Sequence, residues 1–138
     1  FNGEILSYNV SDRADLGQIN KMLKDVFAIT DKAPAGNKIL LHSDQGWQYQ
    51  HKDYQNALAQ HGIIQSMSRK GNCLDNSVME NFFGIMKSEL LYSREFKSMQ
   101  EFKEELEKYI DWYNKKRIKM KLNGMSPVQY RAHYEENL

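Results

Sequence analysis

The sequence predicts an α/β fold, because three consecutive segments read as a strand, a helix and a strand. Residues 38–42, KILLH, form a short apolar run between polar loops, which is typical of a strand buried on both faces. Residues 51–61 place their apolar side chains on one helical face and stop at Gly62, a residue type favoured just after a helix. Residues 62–68, GIIQSMS, predict a second strand. Together these elements predict a βαβ unit within a sheet.

The segment before this unit predicts one strand and one amphipathic helix. Residues 4–11, EILSYNVS, alternate apolar and polar side chains and follow the turn signal Asn2-Gly3, as in the second arm of a hairpin. The first arm would lie upstream of residue 1, so we expect this chain to be truncated at its N-terminus. From Asp12, a plausible N-cap, to about Ala28, apolar residues recur at three- and four-residue spacing, which predicts a helix.

Three further helices are predicted in the second half of the chain. Ser98 and Glu101 form a capping-box pattern in front of a helix, and Ser126 before Pro127 is an N-cap followed by proline at the first helical position. Before them, residues 78–91 predict a helix whose apolar stripe should face the core. That stripe contains Met79, Phe82, Phe83, Met86 and Leu90.

Composition excludes several classes of protein. The 138 residues, 41% apolar and 27% charged, suit one folded domain and not a disordered chain. The only cysteine, Cys73, cannot form an internal disulfide and is expected to be inert, and no apolar run is long enough to span a membrane. A reducing, cytosolic setting fits this composition, whereas the net charge of +1 by itself does not indicate any class of partner.

Two carboxylates stand where a metal ion could bind. Asp44 follows the apolar run at 38–42, and ligands of α/β sheets bind beyond the carboxyl ends of strands. Glu80 lies near the start of the next helix, beside the notch left by Gly84, and Lys87 returns to almost the same helical direction. Mg²⁺ prefers such oxygen ligands. The same residues also fit structural roles, since Asp44 could close an Asx turn and Glu80 could complete a capping box.

Three motifs resemble the OrfB-type transposases of bacterial insertion sequences, which have a retroviral-integrase-like core. They are LHSDQGWQY, SMSRKGNCLDNSVMENFFGIMKSEL and YNKKRIKMKLNGMSPVQY, and they occur in the order of that family with its interval of 35 residues between Asp44 and Glu80. The resemblance implies an RNase H-like fold with a mixed sheet flanked by helices, here lacking its first strands. It also implies DNA strand cleavage and strand transfer by two aspartates and a glutamate that bind two Mg²⁺ or Mn²⁺ ions.

Carried over by position, the resemblance makes Asp44 the second catalytic aspartate, Glu80 the catalytic glutamate and Lys87 a contact to the transposon end. The first aspartate would lie upstream of residue 1, because Glu4, Asp12 and Asp15 are poor substitutes at turns and helix starts. We therefore expect this chain to bind Mg²⁺ weakly and to leave DNA uncut by itself.

Basic and polar residues elsewhere predict contacts to the DNA backbone, with a solvated surface as the alternative for each group. The predicted DNA contacts are Arg69, Lys70 and Asn72 in the loop before the glutamate helix, and Lys115, Lys116, Arg117 and Lys121 in a strip between Trp112 and Tyr134 that has no acidic residue.

Three further polar residues have predicted roles near the two carboxylates. His42 could ligate metal or orient Asp44, or it could be a hydrogen-bonded structural histidine. Asp75 and Asn76 are expected to brace the helix entry.

The resemblance further implies binding of double-stranded DNA, both transposon ends and target, by a homo-oligomer in the bacterial cytoplasm, associated with the nucleoid. We expect residues 1–114 to form a partial catalytic core and residues 115–138 a basic extension packed on it or continuous with it. Two other functions stay open. The chain could be a DNA-binding or dimerising remnant without catalysis, or a ribonuclease H-like hydrolase acting on RNA.

Overall fold

The two strands and the intervening helix of the predicted βαβ unit are present. The structure, a computed structural model, describes residues 1–72, 75 and 77–138. Strand β1 spans Ile39–Ser43 and strand β2 spans Ile63–Met67, and they pair in parallel with Ile39 opposite Ile63. Helix α2, Trp47–Gln50, and helix α3, Lys52–Gln60, connect them. Gly62 adopts the left-handed conformation that ends α3, with φ of +67°.

The chain divides into two compact units, and the first contains residues 7–80. In this unit helix α1, Leu16–Thr30, contributes Ile19 and Leu23 to the same buried cluster as Tyr54 and Leu58 of α3 and Ile63 of β2. Burial of such side chains is worth about 1.5–3 kcal/mol each, so this cluster is the core that fixes β1 and the residues after it.

The second unit contains residues 1–6 and 81–138. Helix α4, Ser77–Met86, runs from the first unit into it and continues as a π-helical turn, Lys87–Leu91. Helix α5 follows at Met99–Lys115, then a 3₁₀ turn at Met120–Leu122 and helix α6 at Pro127–Glu136. The buried residues of this second unit are Met86, Leu90, Leu106, Tyr109, Ile110, Tyr113, Leu122, Ser126 and Pro127.

Most predicted helix signals are confirmed in position. Ser98 caps α5 by accepting a hydrogen bond from the N–H of Glu101, although the Glu101 carboxylate turns to the N–H of Lys97 instead of completing the box. Ser126 and Gln129 form a complete capping box at α6, with Pro127 in the first turn. Helix α1 begins later than expected, because Asp15, and not Asp12, accepts the capping hydrogen bond from Gln18.

Three expectations from the sequence are wrong in part. Residues 4–11 form no strand, and within the described residues the backbone of Ile5 is paired by a side chain, the amide of Asn114, through two hydrogen bonds of 2.8 Å. Strand β1 is not buried on both faces, because α1 and α3 supply a core on one face only and Leu40 is 60% exposed on the other. In the apolar stripe of α4 and the π turn, Met86 and Leu90 are buried but Met79 and Phe83 are exposed.

The predicted α/β class is confirmed, in a fold rich in helix. The sheet that the described residues form is the parallel pair β1–β2. No helix among the described residues is both long and apolar enough to cross a membrane. The expectations for Cys73 and Asn76 concern positions outside the described residues. The division at residues 114 and 115 stays a prediction.

Candidate active site

Asp44 directly follows β1 in a turn that orients its carboxylate. Its Oδ1 accepts a hydrogen bond of 2.8 Å from the N–H of Gly46, which closes the Asx turn that the sequence allowed. A Cβ atom at Gly46 would lie 3.0 Å from that oxygen and 2.9 Å from Oε1 of Gln48, so a side chain there would crowd the carboxylate. The residue is exposed, and its Oδ2 remains available to solvent or a cation. The turn and a ligand role are therefore compatible.

The residues around Asp44 are tied to β2 and to the loop after it. Nδ1 of His42 lies 2.9 Å from the hydroxyl of Ser66, the residue paired with it in the sheet. The Ser68 N–H donates to the Ser43 carbonyl at 2.8 Å, which extends the ladder beyond β2, and the Gln45 amide donates to the Ser68 carbonyl. His42 thus has the hydrogen-bonded arrangement of a structural histidine.

The phenol of Tyr49 has a pKa that is affected by the charge of Asp44. Burial raises the pKa of the Tyr49 phenol, and the negative charge of Asp44 raises it further. The Tyr49 ring packs edge-on against buried Tyr54 at 5.3 Å between centroids. Tyr49 is therefore a packing residue that lies close enough to Asp44 for the carboxylate to raise its pKa.

Glu80 lies in the first turn of α4 and is exposed. Because α4 begins at Ser77, that serine is inside the helix and not at the cap position that a Ser77–Glu80 capping box requires. Among the described residues no side chain holds the Glu80 carboxylate.

Asp44 and Glu80 belong to the same compact unit, residues 7–80, and neither is buried. Two exposed carboxylates are hard oxygen donors that suit Mg²⁺ or Mn²⁺, which commonly retain waters and substrate phosphates as further ligands. Within the described ranges no group of three or more His, Cys, Asp or Glu side chains forms a metal site. The chemistry of each carboxylate fits a divalent ion that also has other ligands.

The loop before α4 is held by an ion pair. The Arg69 guanidinium bonds both carboxylate oxygens of Asp75 at 3.2 Å, and the Arg69 N–H donates to Oδ2 at 3.0 Å. These bonds lower the pKa of Asp75 and raise that of Arg69. Lys70 is exposed and Asn72 is partly buried. Asp75 therefore braces the loop, and the charge of Arg69 is partly neutralised.

Several basic residues of the C-terminal strip have partners within the second unit. Lys115 pairs with Asp111 at 2.6 Å, and the Lys121 ammonium lies 4.5 Å from the Phe1 ring centroid. Arg117 donates to both oxygens of Glu89 at 2.6–3.0 Å. Lys116 and Lys87 are exposed. The strip therefore presents less free positive charge than its composition indicates.

Glu89 and Tyr109 form an arrangement that the sequence did not indicate. The Tyr109 hydroxyl donates to Glu89 Oε2 at 2.7 Å, beside the Arg117 contacts. Hydrogen bonds from Arg117 and then Tyr109 lower the pKa of Glu89 against the opposing effect of burial. Because Glu89 and Arg117 are 28 residues apart, no local periodicity could pair them.

Two family profiles, both described as integrase core domain, match residues 1–73 and 80–134. Among curated proteins, the chain is 49% identical over 131 residues to "Putative transposase InsK for insertion sequence element IS150" of Escherichia coli K12. It is also 36% identical over 132 residues to "Transposase for insertion sequence element IS904" of Lactococcus lactis. These alignments cover 95% and 94% of this chain, and 45% and 51% of the relatives, so the chain spans about half their length.

A solved structure shares the fold. The simian T-cell lymphotropic virus intasome, in complex with PP2A regulatory subunit B56 gamma, contains a chain that matches with a TM-score of 0.60 and 17% identity. The match covers 79% of this chain and 37% of that chain, and together with the profiles it confirms the predicted RNase H-like fold. The profiles and the relatives agree with the motifs around Asp44 and Glu80. The chain therefore belongs to the integrase core domain family, among the transposases of bacterial insertion sequences.

Proposed function

We propose that this chain contributes to the catalytic core of an insertion-sequence transposase, a polynucleotidyl transferase that cleaves DNA and transfers the strand. The observation that carries the proposal is the pair Asp44 and Glu80. One is exposed at the exit of β1, the other is exposed in the first turn of α4, and both lie in the same compact unit of a chain from the integrase core family.

Asp44 and Glu80 would hold Mg²⁺ or Mn²⁺ as two of three carboxylate ligands. When bound, a pair of such ions activates the attacking hydroxyl and stabilises the leaving oxygen in an in-line displacement. The Gly46 N–H holds Oδ1 of Asp44, and this hydrogen bond leaves Oδ2 for a metal ion. Glu80 offers its carboxylate from the first turn of α4, and Lys87 attracts a phosphate of the DNA.

The substrate class follows from the family and the charges. We propose double-stranded DNA, comprising transposon ends and target, bound by a homo-oligomer in the bacterial cytoplasm at the nucleoid. Arg69, Lys70, Asn72, Lys115, Lys116 and Lys121 remain proposed backbone contacts. The exposed Lys70 and Lys116 are the best supported of these, because Arg69 and Lys115 already have carboxylate partners.

The test replaces each carboxylate by its amide in a complete transposase that contains this sequence. Asp44→Asn and Glu80→Gln should lower strand transfer by more than about a hundredfold, because direct ligands matter at least as much as their outer-shell partners. Binding to a transposon-end duplex should be retained. Asp25→Asn is the matched control, since Asp25 is an exposed carboxylate of α1 in the same unit. Unchanged strand transfer in Glu80→Gln would refute the proposal and favour a non-catalytic DNA-binding or dimerising remnant.

The chain of 138 residues should bind Mg²⁺ weakly and should not nick DNA by itself, because two carboxylates provide an incomplete site. A nicking assay on a supercoiled plasmid with and without Mg²⁺ measures this directly. Metal-dependent nicking that Glu80→Gln abolishes would show that no third ligand is needed. Cleavage of an RNA–DNA hybrid in preference to duplex DNA would instead support the hydrolase alternative.

A further inference from the structure

The π-helical turn Lys87–Leu91 ends the helix that carries Glu80. Its defining hydrogen bond runs from the Tyr92 N–H to the Lys87 carbonyl at 2.8 Å, five residues back along the chain. Within this turn, the Ser88 hydroxyl donates to the carbonyl of Gly84 in the preceding turn, a contact that often bends a helix. Such wide turns are rare and occur often at functional sites. Lys87 is the first residue of this turn.

Glu89, in the middle of the π turn, is held from two directions by a cluster that we call the Glu89 clamp, consisting of Glu89, Tyr109 and Arg117. Tyr109 reaches it from α5 with a single hydrogen bond, and Arg117 reaches it from the end of α5 with a fork of three contacts. The Arg117 and Glu89 side chains are only 22% and 32% exposed. A bidentate guanidinium–carboxylate pair of this kind has a specific geometry, so it restricts the turn.

Arg117 is itself fixed on the protein. Its N–H donates to the Trp112 carbonyl at 3.0 Å, and its guanidinium lies 5.7 Å from the centroid of the buried Tyr113 ring. The backbone is therefore fixed at the helix end, and the side chain is occupied by a carboxylate and an aromatic ring. A guanidinium that binds DNA phosphate would have to give up these contacts.

We propose that Arg117, Tyr109 and Glu89 are positioning residues that hold the π turn so that Lys87 can reach the DNA backbone, and that Arg117 does not contact DNA itself. This inference rests on the proposed function through Lys87. It replaces the expectation that Arg117 binds DNA.

The experiment measures the affinity of the full chain for a short transposon-end duplex as a function of salt concentration. Lys87→Gln should reduce the slope of log affinity against log salt by about one, as expected for the loss of one phosphate contact. Glu89→Gln should weaken binding and reduce the slope by a similar amount, although it removes a negative charge. If Arg117 contacted DNA, Glu89→Gln would release it and binding would tighten.

The double variant Lys87→Gln with Glu89→Gln separates positioning from general stability. Positioning predicts that Glu89→Gln has no further effect on the slope once Lys87 is lost, whereas independent effects would add. Glu105→Gln is the matched control, because it also neutralises a glutamate paired with an arginine, here Arg94, in the same unit. It should leave the slope unchanged. Tyr109→Phe removes a single hydrogen bond and gives a milder variant that keeps the fold.

Additive slopes in the double variant, or tighter binding by Glu89→Gln, would overturn the inference while leaving the catalytic proposal intact. A slope unaffected by Lys87→Gln would overturn both this inference and the role of Lys87. The catalytic proposal itself depends on strand transfer by the Asp44 and Glu80 variants, which is a separate measurement.

Discussion

The Glu89 clamp should contribute measurably to the free energy of unfolding of the second unit, independently of DNA. Glu89→Gln keeps the shape of the side chain but removes its negative charge and replaces one acceptor oxygen by an NH2 group, so Arg117 loses one acceptor of its fork and Tyr109 no longer donates to a charged group. A bond to a charged group is worth about 1.5–3 kcal/mol and a neutral one about 0.5–1.5 kcal/mol, so the weakened contact to each partner costs about 1 kcal/mol. Because both charged side chains are partly exposed, we expect a total loss of about 1.5 kcal/mol.

The assay uses the one tryptophan in each unit. Trp112 lies in α5 with its ring centroid 5.8 Å from that of Tyr109, whereas Trp47 lies in the first unit. Urea unfolding followed by fluorescence in a Trp47→Phe background therefore reports the second unit. Lys115→Gln is the control, because its pair with Asp111 is well exposed and should contribute less than about 0.5 kcal/mol.

The pH dependence gives a second check with a defined sign. The pKa of Glu89 in the folded chain is lowered from its usual value of 4.5, so the folded state binds this proton less readily than the unfolded state. The stabilisation should be fully present above pH 4.5 and lost as the pH falls through the lower, folded value. The difference in the free energy of unfolding between the parental chain and Glu89→Gln should therefore disappear in acid. Coincident unfolding curves at neutral pH, or a gap that persists in strong acid, would refute the role of the clamp.

Three other substitutions test the fold and the site. Ser126→Ala should destabilise the second unit by about 1–2 kcal/mol, measured by urea unfolding, because the fully buried Ser126 completes the capping box of α6. Gly62→Ala should cost about 1 kcal/mol in the first unit, by the same method, since φ is +67° there. Gly84→Ala should stabilise α4 by about 0.5–1 kcal/mol, because a Cβ there meets no atom within 4 Å, yet it should lower strand transfer by filling the notch after Glu80.

The sequence predicted those elements whose signals are local. Gly62 marks the end of α3, Ser98 the start of α5, and Ser126 with Pro127 the start of α6, and each signal depends on a few neighbouring residues. It misplaced the start of α1 because Asp12 and Asp15 are both acceptable caps three residues apart. It predicted a strand at residues 4–11 because alternation shows a pattern of faces but not whether a partner strand pairs with it.

In the candidate site, too, only local features could be predicted from the sequence. The position of Asp44 in an Asx turn could be predicted from adjacent residues, and the position of Glu80 early in a helix from a motif on that helix. The partners of the basic strip could not be predicted, because a count of charges does not tell which of them meet carboxylates. Arg117 meets Glu89 and Arg131 meets Glu4 only through the tertiary fold.

The side-chain amide of Asn114 has a consequence for how the N-terminal residues can associate. It offers Ile5 one acceptor and one donor, as a neighbouring backbone would. The single N–H of Ile5 has one hydrogen to donate, so an incoming strand that used it would have to displace this amide. The hydrogen bonds that hold Ile5 on α5 and the pairing of Ile5 with a further strand are therefore mutually exclusive. The Asn114 amide competes with such a strand for the backbone of Ile5.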